Sequence, residues 1–406
     1  MCGTSALQVR KENRYMKKQK KIVIIGPVYP FKGGIAHYTA LMYRALIETN
    51  EVTLVSYSMQ YPKFLFKKEQ RDWENKTFKI DSAVYWINTA NPISCMRTAK
   101  KINKISPDMV IIQWWHPYFA PCYYIMLKLL KKNIQKIFVC HNVFPHERFV
   151  MDRQITKLVL GKGDAFIVHS ELDKNDLLKI KPDAVFKKTF IPTYNTFKIN
   201  NISKETAREK LHLPKEEKVL LFFGFVREYK GLKWLIKAMP LIIERLSDIK
   251  LLIVGDFGTD KDSYLSLIEE CRIANAIEIY DGYIPDGEVE KYFAACDLVV
   301  CPYESATQSA IVQIAYGFEK PVIATNVGGL PEVVEDNRTG FIVESKTPWM
   351  LADKICEFYE KDKEKEFHEY IVKEAYKFSW ERMREVVQEL NSLGKEHISE
   401  KNKMYR

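Results

Sequence analysis

The sequence predicts an α/β protein made of two doubly wound parallel-sheet domains that face one cleft. Three observations carry this. Short unbroken apolar runs alternate with longer helical patterns, in two successive series. Strands buried on both faces read as such runs, and the helices between them are the crossovers that parallel strands need. A segment rich in Pro, Asn, Thr and Ser, near Pro192–Ser203, separates the two series. The chain has 406 residues, which at roughly 100–200 residues per domain makes two domains.

Residues 1–19 are polar and basic, without an apolar signal-peptide core, and are expected to form a flexible tail. Ile22-Val-Ile-Ile-Gly is the first buried strand, followed by the loop Pro27–Gly34 and a helix over Ile35–Thr49. The runs beginning at Val52, Met109, Ile137 and Ala165 continue the series, so residues 20–192 form an N-terminal Rossmann-like domain. The second series begins with Val219-Leu-Leu-Phe-Phe-Gly and a helix over Leu232–Leu246. Runs beginning at Lys250, Ile277, Leu298, Pro321 and Gly340 complete a second such domain over 203–377. A charged helical stretch follows Ser379-Trp-Glu-Arg. In such sheets, ligands bind beyond the carboxyl ends of the strands.

Composition narrows the partners. The net charge is +10, from 62 basic and 52 acidic residues. That excess suits nucleotide phosphates or anionic lipid headgroups. No nucleic-acid recognition motif accompanies it, so no nucleic acid is expected. The eight cysteines show no C-x-x-C spacing, and several sit inside apolar runs. They read as small buried hydrophobes in a reducing cytoplasm, and no metal is expected. No stretch approaches the roughly 18 apolar residues of a membrane span.

Four segments carry chemistry. In Gly26–Tyr38, the paired Gly33 and Gly34 let the backbone approach a ligand just before a helix N-terminus, which favours anions. The segment is not G-x-G-x-x-G, so the dinucleotide reading is weak. In Gly224–Gly231, Arg227 and Lys230 sit in a strand-to-helix turn where a diphosphate would meet both cations and the helix dipole. Pro302–Ile311 is polar and small and contains a helix start, so its hydroxyls and amides suit a sugar or phosphate. Val327-Gly-Gly-Leu-Pro-Glu332 is a second glycine-rich turn.

These motifs, in this order, resemble the retaining family-4 glycosyltransferases. The likeness extends through Val254-Gly-Asp, Asp281-Gly-Tyr-Ile-Pro-Asp286, Ala295–Pro302, Lys320–Glu332 and Gly340-Phe. It implies a GT-B fold, with the nucleotide-sugar donor on the C-terminal domain and the acceptor on the N-terminal one. It also implies that residues 378–395 cross back onto the first domain. Lys230 resembles the family's diphosphate-binding lysine. The companion arginine position falls on Phe225, and Arg227 replaces it. The loop containing Tyr283 and Ile284 is similar to the one that holds the base, and Gly33 and Gly34 match the glycine loop near the donor phosphate. His141 matches a cleft histidine and is assigned a catalytic role. His37, His116, His146 and Glu147 are assigned to the acceptor. One departure stands out. The family's paired glutamates fall on Ala306 and Ile314, so the sequence resembles a branch that lacks them. Glu304 and Gln313 lie close by. Thr307, Gln308 and Ser309 are expected to contact the donor, with Gln313 near the ribose.

Pro117–Lys136 places aromatics before Lys128, Lys131 and Lys132 at helical spacing, and Lys63-Phe-Leu-Phe-Lys-Lys is a second basic cluster. A helix lying in an anionic membrane interface, aromatic face down, is one reading, and a helix packed on the sheet is the other. The expectation is sugar transfer from an NDP-sugar to a lipid-linked or polysaccharide acceptor in bacterial surface glycan synthesis. It would take place in the cytoplasm, peripherally on the inner face of the plasma membrane, with no cofactor. The alternatives are a non-catalytic nucleotide-sugar-binding subunit and a GT-B nucleotide-sugar epimerase.

Overall fold

The computed structural model describes residues 19–65, 69–74, 76–145 and 150–404, with the backbone alone for 394–404. The expected tail lies outside the described residues except for its last position.

The first sheet contains β1 (Lys21–Ile25), β2 (Glu51–Met59), β3 (Val84–Asn88), β4 (Met109–Trp114), β5 (Gln135–Cys140), β6 (Ala165–Val168) and β7 (Phe186–Lys188). Their order is β3-β2-β1-β4-β5-β6-β7, and every pairing is parallel. Its crossovers include α1 (Gly34–Ile47), α2 (Pro92–Ile105), α3 (Ala120–Leu129), α4 (Asp152–Leu160) and α5 (Glu171–Ile180). After α6 (Lys204–Lys210) comes the second sheet: β8 (Lys218–Phe223), β9 (Ile249–Gly255), β10 (Ile277–Asp281), β11 (Leu298–Cys301), β12 (Val322–Thr325) and β13 (Gly340–Val343). It is also all parallel, in the order β10-β9-β8-β11-β12-β13. Its helices are α7 (Leu232–Arg245), α8 (Lys261–Glu270), α9 (Asp286–Ala295), α10 (Ala310–Gly317), the short α11 (Leu330–Val333), α12 (Pro348–Glu360) and α13 (Lys363–Glu374). Last is α14 (Trp380–Met404).

The central strands are buried on both faces, which is why their sequences are unbroken apolar runs. β3 and β7 are edge strands and only partly buried, so neither shows such a run. Both escape a reading based on continuous apolar stretches.

One core layer runs through both domains, from Ile22 and Tyr38 to Val219 and Phe293. The linker belongs to it, with Tyr194 and Phe197 nearly fully buried. The linker's Thr193 N–H donates to Phe378 O at 2.9 Å, and the Trp380 indole donates to Thr193 O at 3.1 Å. The two chain crossings between the domains are therefore tied together. α14 then lies on the first domain, where Gln135 Nε2 donates to Leu390 O at 2.9 Å and Tyr38 Oη to Met383 Sδ at 3.7 Å.

Strand order reverses between β1 and β4 in the first sheet, and between β8 and β11 in the second. Loops leaving those strands diverge to opposite faces and open a crevice there. Gly26–Gly34 follows β1, Gly224–Gly231 follows β8, and Pro302–Ser309 follows β11. Three of the segments singled out by chemistry thus lie at the two switch points.

Candidate active site in the interdomain cleft

Gly33 precedes α1 with φ +108°, and no side chain caps that helix. A Cβ on Gly33 would meet nothing within 4 Å, and one on Gly34 would lie 3.9 Å from the Ala310 methyl. The N-termini of α1 and α10 therefore meet across the cleft. Each end carries backbone N–H groups and the positive end of a helix dipole, so the junction favours an anion.

Lys230 lies beside this junction. Its side chain is nearly buried, and a Cβ on Gly224 would come 2.8 Å from its Nζ and 3.5 Å from Ile311 Cδ1 in the first turn of α10. Among the described residues no carboxylate pairs with the ammonium, and its neighbours include the Tyr303 ring at 5.8 Å. Burial, helped by the nearby Arg227 charge, pushes its pKa down from 10.5 to about 8. Arg227 is exposed, and its Nη1 donates to Val226 O at 2.8 Å. Among the described residues no carboxylate pairs with it either. Two cations without counter-ions, one of them desolvated, mark a position where fixed negative charge would be strongly held.

His141 is partly buried, and desolvation first and the neighbouring His169 second hold its pKa well below the usual value. It is therefore neutral at pH 7. Its Nε2 lies 2.8 Å from Gln113 Oε1, while Gln113 Nε2 faces Met42 Sδ at 3.5 Å. This arrangement holds the proton on Nε2 and leaves Nδ1 as an acceptor. His141 can orient a hydroxyl but supplies no positive charge.

Other expected site residues hold the domains together. His37 Nε2 lies 3.1 Å from Asp286 Oδ2 of the second domain, with its ring stacked on Phe78. Lys32 Nζ sits 4.5 Å over the Tyr283 ring, and Ile284 packs beside the shared core layer. Thr307 Oγ1 donates to Asn142 Oδ1, and Gln308 Nε2 to His169 O at 2.7 Å. Glu332 accepts from the Glu171 N–H at 2.9 Å and from Lys188 at 2.8 Å. Asp286, Asn142, His169 and Lys32 were not singled out from sequence. Their only common property is a partner in the other domain, and nothing local in the sequence signals that.

The structure places several expected donor residues, and the expected acceptor residue His116, in other contacts. Ser309 caps α10, accepting from Ile311 N at 3.2 Å, and is nearly buried. Gln313 is fully buried on the inner side of α10, and neither amide atom has a hydrogen-bond partner among the described residues. A ribose cannot reach it in this conformation. Glu304 is no substitute, because it accepts from the Trp234 indole at 2.8 Å and pairs with Lys233 and Lys346 at 3.0 Å each. Burial would raise its carboxyl, but these partners hold it down at about 2. His116 caps the 3-10 turn Pro117–Phe119 by accepting from Tyr118 N at 3.0 Å. His146 and Glu147 lie outside the described residues. No group of three His, Cys, Asp or Glu among the described residues could hold a metal ion.

Because Gln308 spans the domains, Gln308→Ala should act on closure. Loss of one hydrogen bond of about 1 kcal/mol is expected to raise donor KM about fivefold, with kcat and the melting temperature nearly unchanged. A variant that melts earlier with normal KM would make Gln308 purely structural.

Two facing, doubly wound domains with an anion-favouring junction between them define a GT-B fold. Residues 203–378 match the family model described as glycosyl transferases group 1. The D-inositol 3-phosphate glycosyltransferase of Corynebacterium glutamicum is 29% identical over 209 residues, 50% of this chain and 49% of that protein. The chain thus spans about half the length of the curated relatives it matches. A glycosyltransferase from Rickettsia africae superposes with a TM-score of 0.70 at 21% identity, covering 93% of this chain and 99% of that one. HepE of Anabaena, in complex with UDP and glucose, gives 0.70 at 16% identity, covering 92% and 100%. At these identities the likeness establishes the fold alone.

Proposed function

We propose that this protein transfers a sugar from a nucleoside-diphosphate donor to a lipid-linked or polysaccharide acceptor, with retention at the anomeric carbon, in the synthesis of a bacterial surface glycan. The observation that carries this reading is the desolvated, unneutralised Lys230 beside the meeting N-termini of α1 and α10. The donor diphosphate would lie there, contacted by Arg227 as well, with its base near Tyr283 and Ile284. HepE, which shares the fold, is a complex with UDP and glucose, which supports a sugar-nucleotide ligand.

In the transfer, an acceptor hydroxyl bonds to the anomeric carbon as the bond to the diphosphate breaks. The electron pair goes to the departing diphosphate, which also takes the hydroxyl proton. Lys230, Arg227 and the helix N-termini stabilise the charge that develops there. Neutral His141 orients a hydroxyl through Nδ1. These cations supply electrostatic stabilisation without a metal.

A second reading, a nucleotide-sugar-binding subunit without turnover, is favoured by one observation. Ala306 and Ile314 replace the glutamate pair, while Glu304 and Gln313 are unavailable. Screening UDP-, GDP- and ADP-sugars for NDP release, with and without a lipid-linked acceptor, separates the two. Release that depends on acceptor, with the product anomer retained by NMR, is the expected outcome. Tight donor binding with no release in any combination would establish the second reading instead.

A further inference from the structure

Glu304 follows β11 directly after Pro302-Tyr303, and it is the one carboxylate in the loop that leads to α10. Both of its carboxylate oxygens are engaged by other loops. Oε1 accepts from the Trp234 indole at 2.8 Å and lies 3.0 Å from Lys233 Nζ, both in the first turn of α7. Oε2 lies 3.0 Å from the Nζ of Lys346, which follows β13. The Glu304 N–H donates to Tyr229 O at 2.6 Å. One residue thus ties together the loops leaving β8, β11 and β13.

The backbone shows how closely these loops are held. Gly231 has φ +65°, and a Cβ there would come 1.9 Å from Pro302 O, so the turn before α7 touches the β11 loop with no room for a side chain. Lys346 has φ +63°, in the left-handed region that a lysine seldom adopts. Such a conformation persists where its surroundings hold it, and here the ammonium is paired with Glu304.

Tyr229 and Lys230 are neighbours in the 3-10 turn Glu228–Lys230, so whatever fixes Tyr229 O also fixes Lys230. At the other end of the β11 loop stands Ser309, the cap of α10, with its Oγ 3.3 Å from Tyr303 Oη. Glu304 therefore sits at the joint between the turn that carries the ammonium and the loop that starts the helix. A buried ammonium without a counter-ion gains by swinging out to water, and a lysine stem is long enough to let it. The contacts made by Glu304 oppose that.

We propose that Glu304 is a positioning residue: it locks the turn carrying Lys230 against the loop that starts α10, and so keeps the ammonium in register with the helix N-terminus. The carboxylate that remains in this loop acts through the lysine and not on the sugar. The charged and titratable groups around the ammonium are Arg227 on its own loop and, from β11 and the loop after it, Cys301 and Tyr303. Burial pushes the Cys301 thiol up to about 12 and the Tyr303 hydroxyl well above its usual value, so both are neutral where Lys230 titrates.

The test is the pH dependence of Lys230 acetylation by trace acetic anhydride, read by peptide mass spectrometry on the full chain without ligand. The wild-type midpoint is expected at about 8. In Glu304→Ala the turn loosens and water reaches the amine, so the midpoint should rise by ~1 pH unit or more. A purely electrostatic role has the opposite sign, because Lys233 and Lys346 would be left unbalanced near the ammonium. Trp234→Phe keeps a ring and removes only the donor, and it should move the midpoint upward by less. Turnover should follow. Misplacing a catalytic group by about 1 Å costs on the order of 100-fold, so Glu304→Ala should lose roughly that much in kcat with the donor KM nearly unchanged. Trp234→Phe and Lys346→Met should each lose about fivefold, and neither should cost anything further in the Glu304→Ala background.

A midpoint that stays or falls in Glu304→Ala overturns the proposal, and so does full additivity of the variants. A lower melting temperature with wild-type midpoint and kcat would make Glu304 merely structural and overturn it too. The turnover half rests on the proposed role of Lys230, whereas the labelling half does not. An inactive Lys230→Met beside a fully active Glu304→Ala would sink this inference alone. An active Lys230→Met would sink that reading and leave the shifted midpoint standing.

Discussion

Lys230→Met is expected to abolish most donor-dependent turnover and, at the same time, to raise the melting temperature. The ammonium is held in a nearly dry position with no counter-ion. A group of this kind stabilises charge that develops on a departing diphosphate, and losing one such contact lowers kcat/KM by roughly 10²–10³-fold. Stability moves the other way. With a folded pKa of about 8 against 10.5 unfolded, the folded chain carries the full cost of a buried cation below pH 8. Between these values only the unfolded chain keeps the proton, so the cost fades, and above 10.5 it is gone. The Met variant should therefore melt higher than wild type at pH 7, by roughly 2–4 °C for each kcal/mol relieved, and the gap should close as pH rises through 8 to 10.5. Donor binding in the wild type should also weaken by up to about tenfold per pH unit above 8, because a bound diphosphate requires the protonated amine. Calorimetry and donor titration across pH 6–10 check all three. Unchanged turnover in Lys230→Met would place the donor elsewhere.

Gly224→Ala should reach the same loss of activity with the opposite effect on stability. Gly224 has φ +102°, where a Cβ is strained, at about 1–3 kcal/mol. The added methyl would also come 2.8 Å from Lys230 Nζ and 3.5 Å from Ile311 Cδ1. The lysine must move away from the α10 N-terminus, so kcat/KM is expected to drop about 100-fold, while the protein melts several degrees earlier. If Gly224→Ala lowered stability alone and left the donor KM and kcat intact, the ammonium's position over Gly224 would be irrelevant to catalysis. The two variants, with melting shifts of opposite sign, separate a functional cation from a structural one.

Much of this was legible along the chain because the physics is local. A strand buried on both faces must be apolar throughout, so β1, β4, β8 and β11 declare themselves. A loop that takes a chain from strand to helix near an anion needs glycine and carries cations, so Gly33, Gly34, Arg227 and Lys230 stand out as residue types. The half-exposed edge strands β3 and β7 have no such signature. The positions that the sequence left ambiguous are those in which a side chain has more than one possible partner. A serine at a helix start suits a sugar or a cap, and Ser309 is the cap. An amide on a helix suits a ribose or the interior, and Gln313 is inside.

The sequence by itself therefore determined the two-sheet architecture and the chemical character of the loops at the strand ends, because burial and turn geometry are set by neighbours along the chain. Only the tertiary structure decided what those loops face. Folding joins His37 to Asp286, Asn142 to Thr307 and His169 to Gln308 across hundreds of residues or nearly so. It strips Lys230 of water without giving it a counter-ion. It also turns the aromatic side of 117–136 onto the sheet and not toward a bilayer, with Phe119 and Tyr123 fully buried. Each of these depends on which surfaces meet after two sheets twist and pack, and a pairing between distant segments leaves no periodic trace in either of them.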